Sequence, residues 1–92
     1  MEEVNERISG MVLNVHRRNG GALARLEPGW RLLEPALRLD SLDLAEIMVS
    51  IERAFGCSPF DAPQPPRTWD EVSAAVTLAL ARGTGAPAAK PA

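Results

Sequence analysis

Cysteine and histidine, which often serve as nucleophiles, bases or metal ligands, each occur once in this 92-residue sequence. Cys57 is the only cysteine, so it cannot form an internal disulfide, and no Cys or His stands near it at the spacing of a zinc site. His16, the only histidine, has no Asp or Ser at an identifiable catalytic spacing. We therefore expect neither an enzyme nor a metal site. We interpret Cys57 as a small buried hydrophobe, and His16 either as a solvated residue or as one that stabilises the helix dipole.

Ser41 is the remaining candidate, and its neighbours are acidic. Asp40 precedes it, and Asp43 and Glu46 follow it. Ser and Asp are both common helix caps, and carboxylates are favoured in the first turns of a helix. A helix is therefore predicted to begin at Asp40 or Ser41. One interpretation gives Ser41 no role beyond capping this helix.

Hydrophobic periodicity predicts the helices that would position Ser41. Apolar residues recur every three to four positions near the start of the chain, which predicts a helix over about residues 3–18. The helix that begins near Ser41 has one apolar side and ends at Gly56. Thr68 lies three residues before a glutamate, the spacing of a capping box, and predicts a last helix over about residues 69–82.

The segments between these helices are interrupted by proline. Residues 22–39 form a predicted long loop with at most a helical turn, whose leucines we expect to pack over the helix ends. Residues 57–66 contain four prolines, which leave room for one short turn near Phe60. We expect one all-α domain over residues 1–83 and a disordered tail over residues 84–92, which lack large apolar side chains.

The charge distribution argues against a nucleic-acid partner. Seven acids and two arginines lie between Asp40 and Glu71, so this part of the chain would repel a phosphate backbone. The first ten residues lack both a basic leader and an apolar run, and no later segment has the apolar length to span a membrane. These features predict a cytoplasmic protein that does not insert into membranes. The sequence shows no second large apolar surface, which predicts a monomer.

The residues around Ser41 resemble the signature of the acyl carrier proteins, a family that carries intermediates on a phosphopantetheine arm. The family's Asp-Ser-Leu stands at Asp40, Ser41 and Leu42. The resemblance covers nearly the whole chain. It continues through Leu39, Asp43, Leu44, Glu46, Ile47, Ile51, Glu52, Phe55, Gly56, Thr68, Trp69, Val72 and Val76.

The resemblance implies a four-helix bundle with a long first loop, a short or degenerate third helix, and Ser41 at the start of the second helix. It implies that a phosphopantetheinyl transferase, using coenzyme A and magnesium, attaches 4′-phosphopantetheine to the Ser41 hydroxyl. The terminal thiol of the arm would then carry an acyl thioester to acyl-loading and to ketosynthase-type or acyltransferase enzymes. A helix N-terminus favours the phosphodiester anion that this attachment creates.

The resemblance also implies a docking surface along the second helix, where carboxylates meet basic patches of partner enzymes and apolar side chains add contact. The residues of this predicted surface are Asp40, Leu42, Asp43, Glu46, Val49 and Glu52.

Three features depart from the family pattern. Arg38 stands two residues before the Asp, where fatty-acid carriers typically have Gly, and Arg53 stands where an acid is usual. The region of the acidic third helix is here the proline-rich segment 58–66, in which only Asp61 is acidic. These changes predict a specialised carrier for a lipid, polyketide or amino-acyl pathway.

An alternative function is a helical interaction module that uses Leu42 and Val49 without any modification of Ser41. A small helical nucleic-acid binder would need a basic recognition helix, which the acidic middle of the chain does not supply.

Overall fold

The computed structural model describes residues 2–61 and 63–83. These residues form three α-helices: α1 (Glu2–Arg18), α2 (Ser41–Phe55) and α3 (Trp69–Ala81). Two single turns of 3₁₀-helix, Pro35–Leu37 and Pro59–Asp61, lie in the connecting segments. The described residues contain no named strand, so the predicted all-α class is confirmed. No helix in this part of the chain is both long enough and apolar enough to cross a membrane.

The predicted fourth helix is not confirmed, because the described residues contain three α-helices. The third helix of the expected bundle corresponds to the 3₁₀ turn Pro59–Asp61 and the proline-rich residues 63–66. Proline has no amide hydrogen and its ring clashes with the preceding turn, so a longer helix cannot form here. The predicted disordered tail, residues 84–92, lies outside the described residues.

The observed helix ends agree with the signals in the sequence. The last turn of α1 carries Arg17 and Arg18, whose positive charges suit the negative end of the helix dipole. α2 ends at Gly56, which adopts the left-handed φ of 71° that favours glycine. Thr68 caps α3 by accepting a hydrogen bond of 3.2 Å from the amide of Glu71.

The core is formed by one face of each helix, as the periodicity predicted. α1 contributes every third or fourth residue, α2 contributes its apolar side, and α3 contributes a short stripe beginning at Trp69. Burial of a large apolar side chain stabilises a fold by about 1.5–3 kcal/mol. The buried residues of this cluster are Val4, Ile8, Val12, Val15, Leu37, Ile47, Ile51, Phe55, Trp69, Val72 and Val76.

The long loop between α1 and α2 is fastened to the start of α3. The amide of Leu32 donates to the carbonyl of Arg67 at 3.2 Å, and the amide of Trp69 donates to the carbonyl of Trp30 at 3.1 Å. The amide of Asp70 donates to the carbonyl of Pro28 at 2.8 Å. Most leucines of this loop pack against the core as expected, with Leu23, Leu26 and Leu32 half-buried and Leu37 fully buried. Leu33 is 43% exposed, so the prediction is wrong for this residue.

Candidate functional site

The start of α2 is capped by Asp40. The Asp40 backbone is extended, and its Oδ1 accepts a hydrogen bond of 2.8 Å from the Asp43 amide. In return the Asp40 amide donates to Oδ2 of Asp43 at 3.1 Å. This reciprocal pair is a capping box, which satisfies two amides that the first turn would otherwise leave without acceptors. The cap of α2 is therefore Asp40, and the interpretation of Ser41 as the cap is wrong.

Ser41 is the first residue of α2, and its side chain is exposed. Within the described residues its hydroxyl makes no hydrogen bond, and the amides of Ser41 and Leu42 have no acceptor. By contrast, the first two amides of α3 are bonded to the loop carbonyls of Trp30 and Pro28. The N-terminus of α2 is thus open and that of α3 is closed. An open helix N-terminus has the donors and the dipole that favour an anion.

His16 fixes the segment that leads to Ser41. His16 is 1% exposed, so the interpretation of it as a solvated residue is wrong. The Leu23 amide donates to Nε2 at 3.1 Å, and Nδ1 lies 2.9 Å from the Leu37 carbonyl oxygen. Because an amide can only donate, Nε2 is the acceptor and Nδ1 carries the hydrogen bonded to Leu37. The ring therefore joins α1, the first residues of the loop and the 3₁₀ turn before α2.

Gly21 makes room for this ring. A Cβ atom at residue 21 would overlap the His16 imidazole. The glycine is therefore required by close packing at this position.

Arg18 links the end of α1 to the first two turns of α2. Its Nη2 atom lies 2.9 Å from Oε1 of Glu46 and 3.2 Å from Oδ1 of Asp43, and its Nη1 lies 3.0 Å from Oε2 of Glu46. Asn19 donates from Nδ2 to Oδ2 of Asp43 at 2.9 Å and to the carbonyl of Arg38 at 2.7 Å. Asp43 and Glu46, two of the four carboxylates predicted to face partner enzymes, are thus bonded to other residues of the chain.

These contacts alter the titration of the two carboxylates. The pKa of Asp43 is lowered, first by the Asp40 amide and then by Asn19 and Arg18. The pKa of Glu46 is lowered by its hydrogen bonds to Arg18. Both groups are therefore ionised at neutral pH, and Arg18 neutralises part of their charge where they meet.

The outer face of α2 carries an exposed stripe formed by Leu42, Ala45, Val49 and Arg53. Leu42 is 80% exposed and Val49 is 46% exposed. The spacing of three to four residues places all four side chains on one side of the helix. Glu52 is half-buried beside this stripe. Of the predicted docking residues, Leu42 and Val49 thus lie together on a free surface.

Arg38 precedes the site in a conformation that is unusual for its residue type. Its φ is 58° and its ψ is 36°, in the left-handed region. A non-glycine residue pays about 1–2 kcal/mol for this conformation. Fatty-acid carriers, members of the family that the sequence resembles, typically have glycine at this position, and the backbone of Arg38 has the geometry that glycine favours.

The other candidate chemical groups do not belong to this site. Cys57 is half-buried against the core, and burial raises the pKa of its thiol, which disfavours the reactive thiolate. No group of three or more potential metal ligands occurs within residues 2–61 and 63–83.

A separate groove of about 510 Å³ lies between α1, the long loop and the start of α3. Trp69 lines this groove, and its buried Nε1 has no acceptor among the described residues.

No protein-family model, curated protein or solved structure matches the chain.

Proposed function

We propose that the chain is an acyl carrier protein that is modified with 4′-phosphopantetheine on Ser41. The observation that carries this proposal is the free Ser41 hydroxyl at the open N-terminus of α2. Asp40 caps the helix, so Ser41 is available for modification without loss of the cap. The resemblance of residues 39–46 to the carrier signature supplies the identity of the group.

The residues at the start of α2 fit a phosphodiester. Ser41 would supply the ester oxygen, and the amides of Ser41 and Leu42 have no acceptor in the described part of the chain. Arg38, exposed and three residues before Ser41, adds positive charge nearby. When attached, the arm would supply a thiol that carries acyl groups as thioesters. The chain itself would present the arm and catalyse nothing.

The expected bundle of the carrier family differs from this chain in its third helix, which is here a single 3₁₀ turn. We propose that this difference, together with Arg38 and Arg53, reflects a specialised lipid, polyketide or amino-acyl pathway. The partners in this proposal are a phosphopantetheinyl transferase and acyl-loading, ketosynthase-type or acyltransferase enzymes. A monomer in the cytoplasm is part of the same proposal.

The test is incubation of the purified chain with coenzyme A, magnesium and a broad-specificity phosphopantetheinyl transferase, followed by intact mass measurement. We expect the wild type to gain roughly 340 Da, the mass of a covalent phosphopantetheine group, and Ser41→Ala to gain nothing. Ser50→Ala is the matched control, because Ser50 also lies on α2 but inside the helix. If several transferases, including those native to the same organism, leave the wild type unmodified, the carrier proposal is rejected.

The second candidate is an unmodified interaction module. The exposure of Leu42 and Val49 on one face of α2 favours it, because folding alone does not require apolar side chains there. This function would be unaffected by Ser41→Ala, whereas a carrier would lose its function entirely.

A further inference from the structure

Asn19 and Gly20 form a sequence pair that has a chemistry of its own. Asparagine is thermolabile, because the backbone nitrogen of the next residue can attack the carbonyl carbon of its side chain. The attack is easiest when the next residue is glycine, which has no side chain in the way and reaches more backbone conformations than other residues. Of the asparagines in the sequence, which are Asn5, Asn14 and Asn19, only Asn19 precedes a glycine.

The position of this pair in the fold also favours the attack. Asn19 and Gly20 are both exposed and directly follow the last residue of α1. The Gly20 amide donates to the carbonyl of Arg17 at 3.0 Å, and because helix ends fray, this bond opens more readily than one inside the helix. Asn5 and Asn14 lie within α1, where the helix holds the backbone of the following residue.

The reaction consumes water and no other reagent. The Gly20 nitrogen loses its proton to the solvent and bonds to Cγ of Asn19, and the Cγ–Nδ2 bond breaks as Nδ2 takes up a proton and leaves as ammonia. The product is a cyclic succinimide. Water then adds to either carbonyl carbon of the ring, and the bond between that carbon and the ring nitrogen breaks. The final residue is aspartate or isoaspartate, and each adds a carboxylate at residue 19.

The side-chain amide that this reaction removes is a donor between two elements of the fold. Nδ2 of Asn19 donates to the carbonyl of Arg38 at 2.7 Å and to Oδ2 of Asp43 at 2.9 Å. The same Oδ2 accepts from the Asp40 amide in the capping box of α2. An ionised carboxylate cannot donate, so a carboxylate at residue 19 would meet two acceptors, one of which is negatively charged. Like charges at this separation repel each other.

We propose that Asn19 is a site of deamidation, at which attack by the Gly20 nitrogen introduces a carboxylate and breaks the hydrogen bonds of Asn19 to Arg38 and Asp43. The change is irreversible, and its extent grows with the age of the protein. It adds a negative charge between the end of α1 and the start of α2, where the structure has a neutral donor.

Deamidation would act on the segment around Ser41. Arg38 lies three residues before Ser41, and Asp43 lies two residues after it. The salt bridges of Arg18 to Asp43 and Glu46 do not involve residue 19, and the buried core contains none of these residues, so we expect the helices to persist. The reaction does not use the Ser41 hydroxyl, so it proceeds whether or not the chain is a carrier.

The first test is storage of the folded chain in mildly alkaline buffer, followed by tryptic digestion and mass spectrometry. Cleavage after Arg18 and Arg25 releases residues 19–25. We expect a growing fraction of this peptide to gain about 1 Da, the difference between a carboxylic acid and an amide, while the peptides that contain Asn5 and Asn14 keep their mass. Fresh protein digested in parallel corrects for deamidation during digestion. If the folded chain shows no gain at Asn19, the proposal is overturned.

The second test concerns the role of Gly20 and is made in urea. The φ of Gly20 is 91°, so alanine would be strained there in the folded chain and would change more than the chemistry. In the unfolded chain we expect Gly20→Ala to deamidate at Asn19 about tenfold more slowly than the wild type, because a Cβ hinders the attack. Gly21→Ala is the matched control, since residue 21 takes no part in ring closure. Equal rates for Gly20→Ala and wild type, or aspartate without isoaspartate, would show that the Gly20 nitrogen is not the nucleophile and would overturn the proposal.

The third test uses Asn19→Asp, which reproduces the aspartate product. We expect the Asp40 amide to exchange with solvent about three- to tenfold faster in this variant than in the wild type, because repulsion displaces the Asp43 carboxylate from its capping position. Asn14→Asp is the matched control, since Asn14 is also exposed on α1 and its substitution adds the same charge. If Asp40 exchanges equally fast in Asn19→Asp and Asn14→Asp, the carboxylate at residue 19 does not disturb α2 and the proposal is wrong.

Discussion

His16 and Leu37 are joined by a hydrogen bond of 2.9 Å between a buried imidazole nitrogen and a backbone carbonyl oxygen. Leu37 is itself fully buried and ends the 3₁₀ turn that precedes α2. Three residues separate it from Ser41. The position of the candidate site relative to α1 is therefore set by a side chain 25 residues earlier in the sequence.

We expect His16→Leu to destabilise the fold by about 2–4 kcal/mol, because it leaves the Leu37 carbonyl and the Leu23 amide without their partners in a buried region. Urea unfolding followed by circular dichroism measures the loss. Arg17→Ala is the control and should change the free energy of unfolding by no more than about 0.5 kcal/mol, since Arg17 is exposed. Equal stability of His16→Leu and wild type would show that the two bonds contribute nothing net.

Two glycines in the first part of the chain should respond oppositely to alanine. At Gly21 a Cβ would overlap the His16 ring, so Gly21→Ala should destabilise the protein by about 1–3 kcal/mol. At Gly10, within α1, a Cβ would meet no atom within 4 Å, so Gly10→Ala should stabilise it by about 0.5–1 kcal/mol through helix propensity. Thermal unfolding of both variants tests the pair. A stable Gly21→Ala would contradict the close packing of residue 21 against the ring.

Asp40 and Ser41 should differ in their contribution to stability. Asp40→Ala removes the cap of α2 and should lower the free energy of unfolding by about 1 kcal/mol. Ser41→Ala should change it by less than about 0.5 kcal/mol, because the hydroxyl makes no hydrogen bond with the described residues. Chemical denaturation of both variants measures the difference. If Ser41→Ala were the more destabilising change, Ser41 would have a structural role.

The lowered pKa values of Asp43 and Glu46 predict a dependence of stability on pH. A carboxyl whose pKa is lower in the folded state stabilises the fold above its unfolded pKa of about 4, and this stabilisation is lost as the pH falls through the lowered value. We therefore expect the wild type to exceed Asp43→Asn in stability at pH 7 and the difference to shrink below about pH 4.

Urea unfolding at several pH values between 7 and 3 measures this difference. Asp61→Asn is the control, because Asp61 is exposed and forms no salt bridge in residues 2–61 and 63–83. If the difference in the free energy of unfolding between wild type and Asp43→Asn stays constant with pH, the ionised carboxylate of Asp43 does not contribute to stability.

Arg38→Gly should stabilise the fold by up to about 1 kcal/mol. Glycine adopts a φ of 58° without the steric penalty of a side chain, and this gain exceeds the larger entropy that glycine loses on folding. The backbone carbonyl that accepts from Asn19 is retained. Thermal unfolding measures the gain, and Arg38→Ala, which removes the guanidinium but keeps the Cβ, separates the backbone effect from charge. If the Tm of Arg38→Gly is no higher than that of Arg38→Ala, the left-handed backbone of residue 38 does not destabilise the fold and the prediction is wrong.

The helices could be predicted because their signals are local. The apolar stripe of α1, Gly56 at the end of α2 and Thr68 before α3 each act within a few residues of their position. The capping residues and carboxylates around Ser41 are also local signals, and they predicted a helix that begins at Asp40 or Ser41. The prolines after α2 predicted at most one short turn in that segment, and the structure has one 3₁₀ turn there.

The contacts that organise the site could not be predicted in this way, because they join distant parts of the chain. His16 is bonded to backbone atoms of Leu23 and Leu37, and backbone groups leave no pattern in a sequence. Arg18 reaches acids 25 and 28 residues away. Residue counts along the chain therefore predict an acidic α2, and only the fold shows that an arginine of α1 is bonded to two of those acids.

The hydrogen bonds between the long loop and α3 have a consequence for amide exchange with solvent. Amides in the first turn of a helix usually exchange fast because they lack acceptors. Those of Trp69 and Asp70 are bonded to the loop and should exchange slowly, together with that of Leu32. The amides of Ser41 and Leu42 should exchange fast. If modification of Ser41 slows exchange at the Ser41 or Leu42 amide, that amide has acquired a hydrogen-bond acceptor. Exchange rates measured for each residue would show this even where the helices do not change.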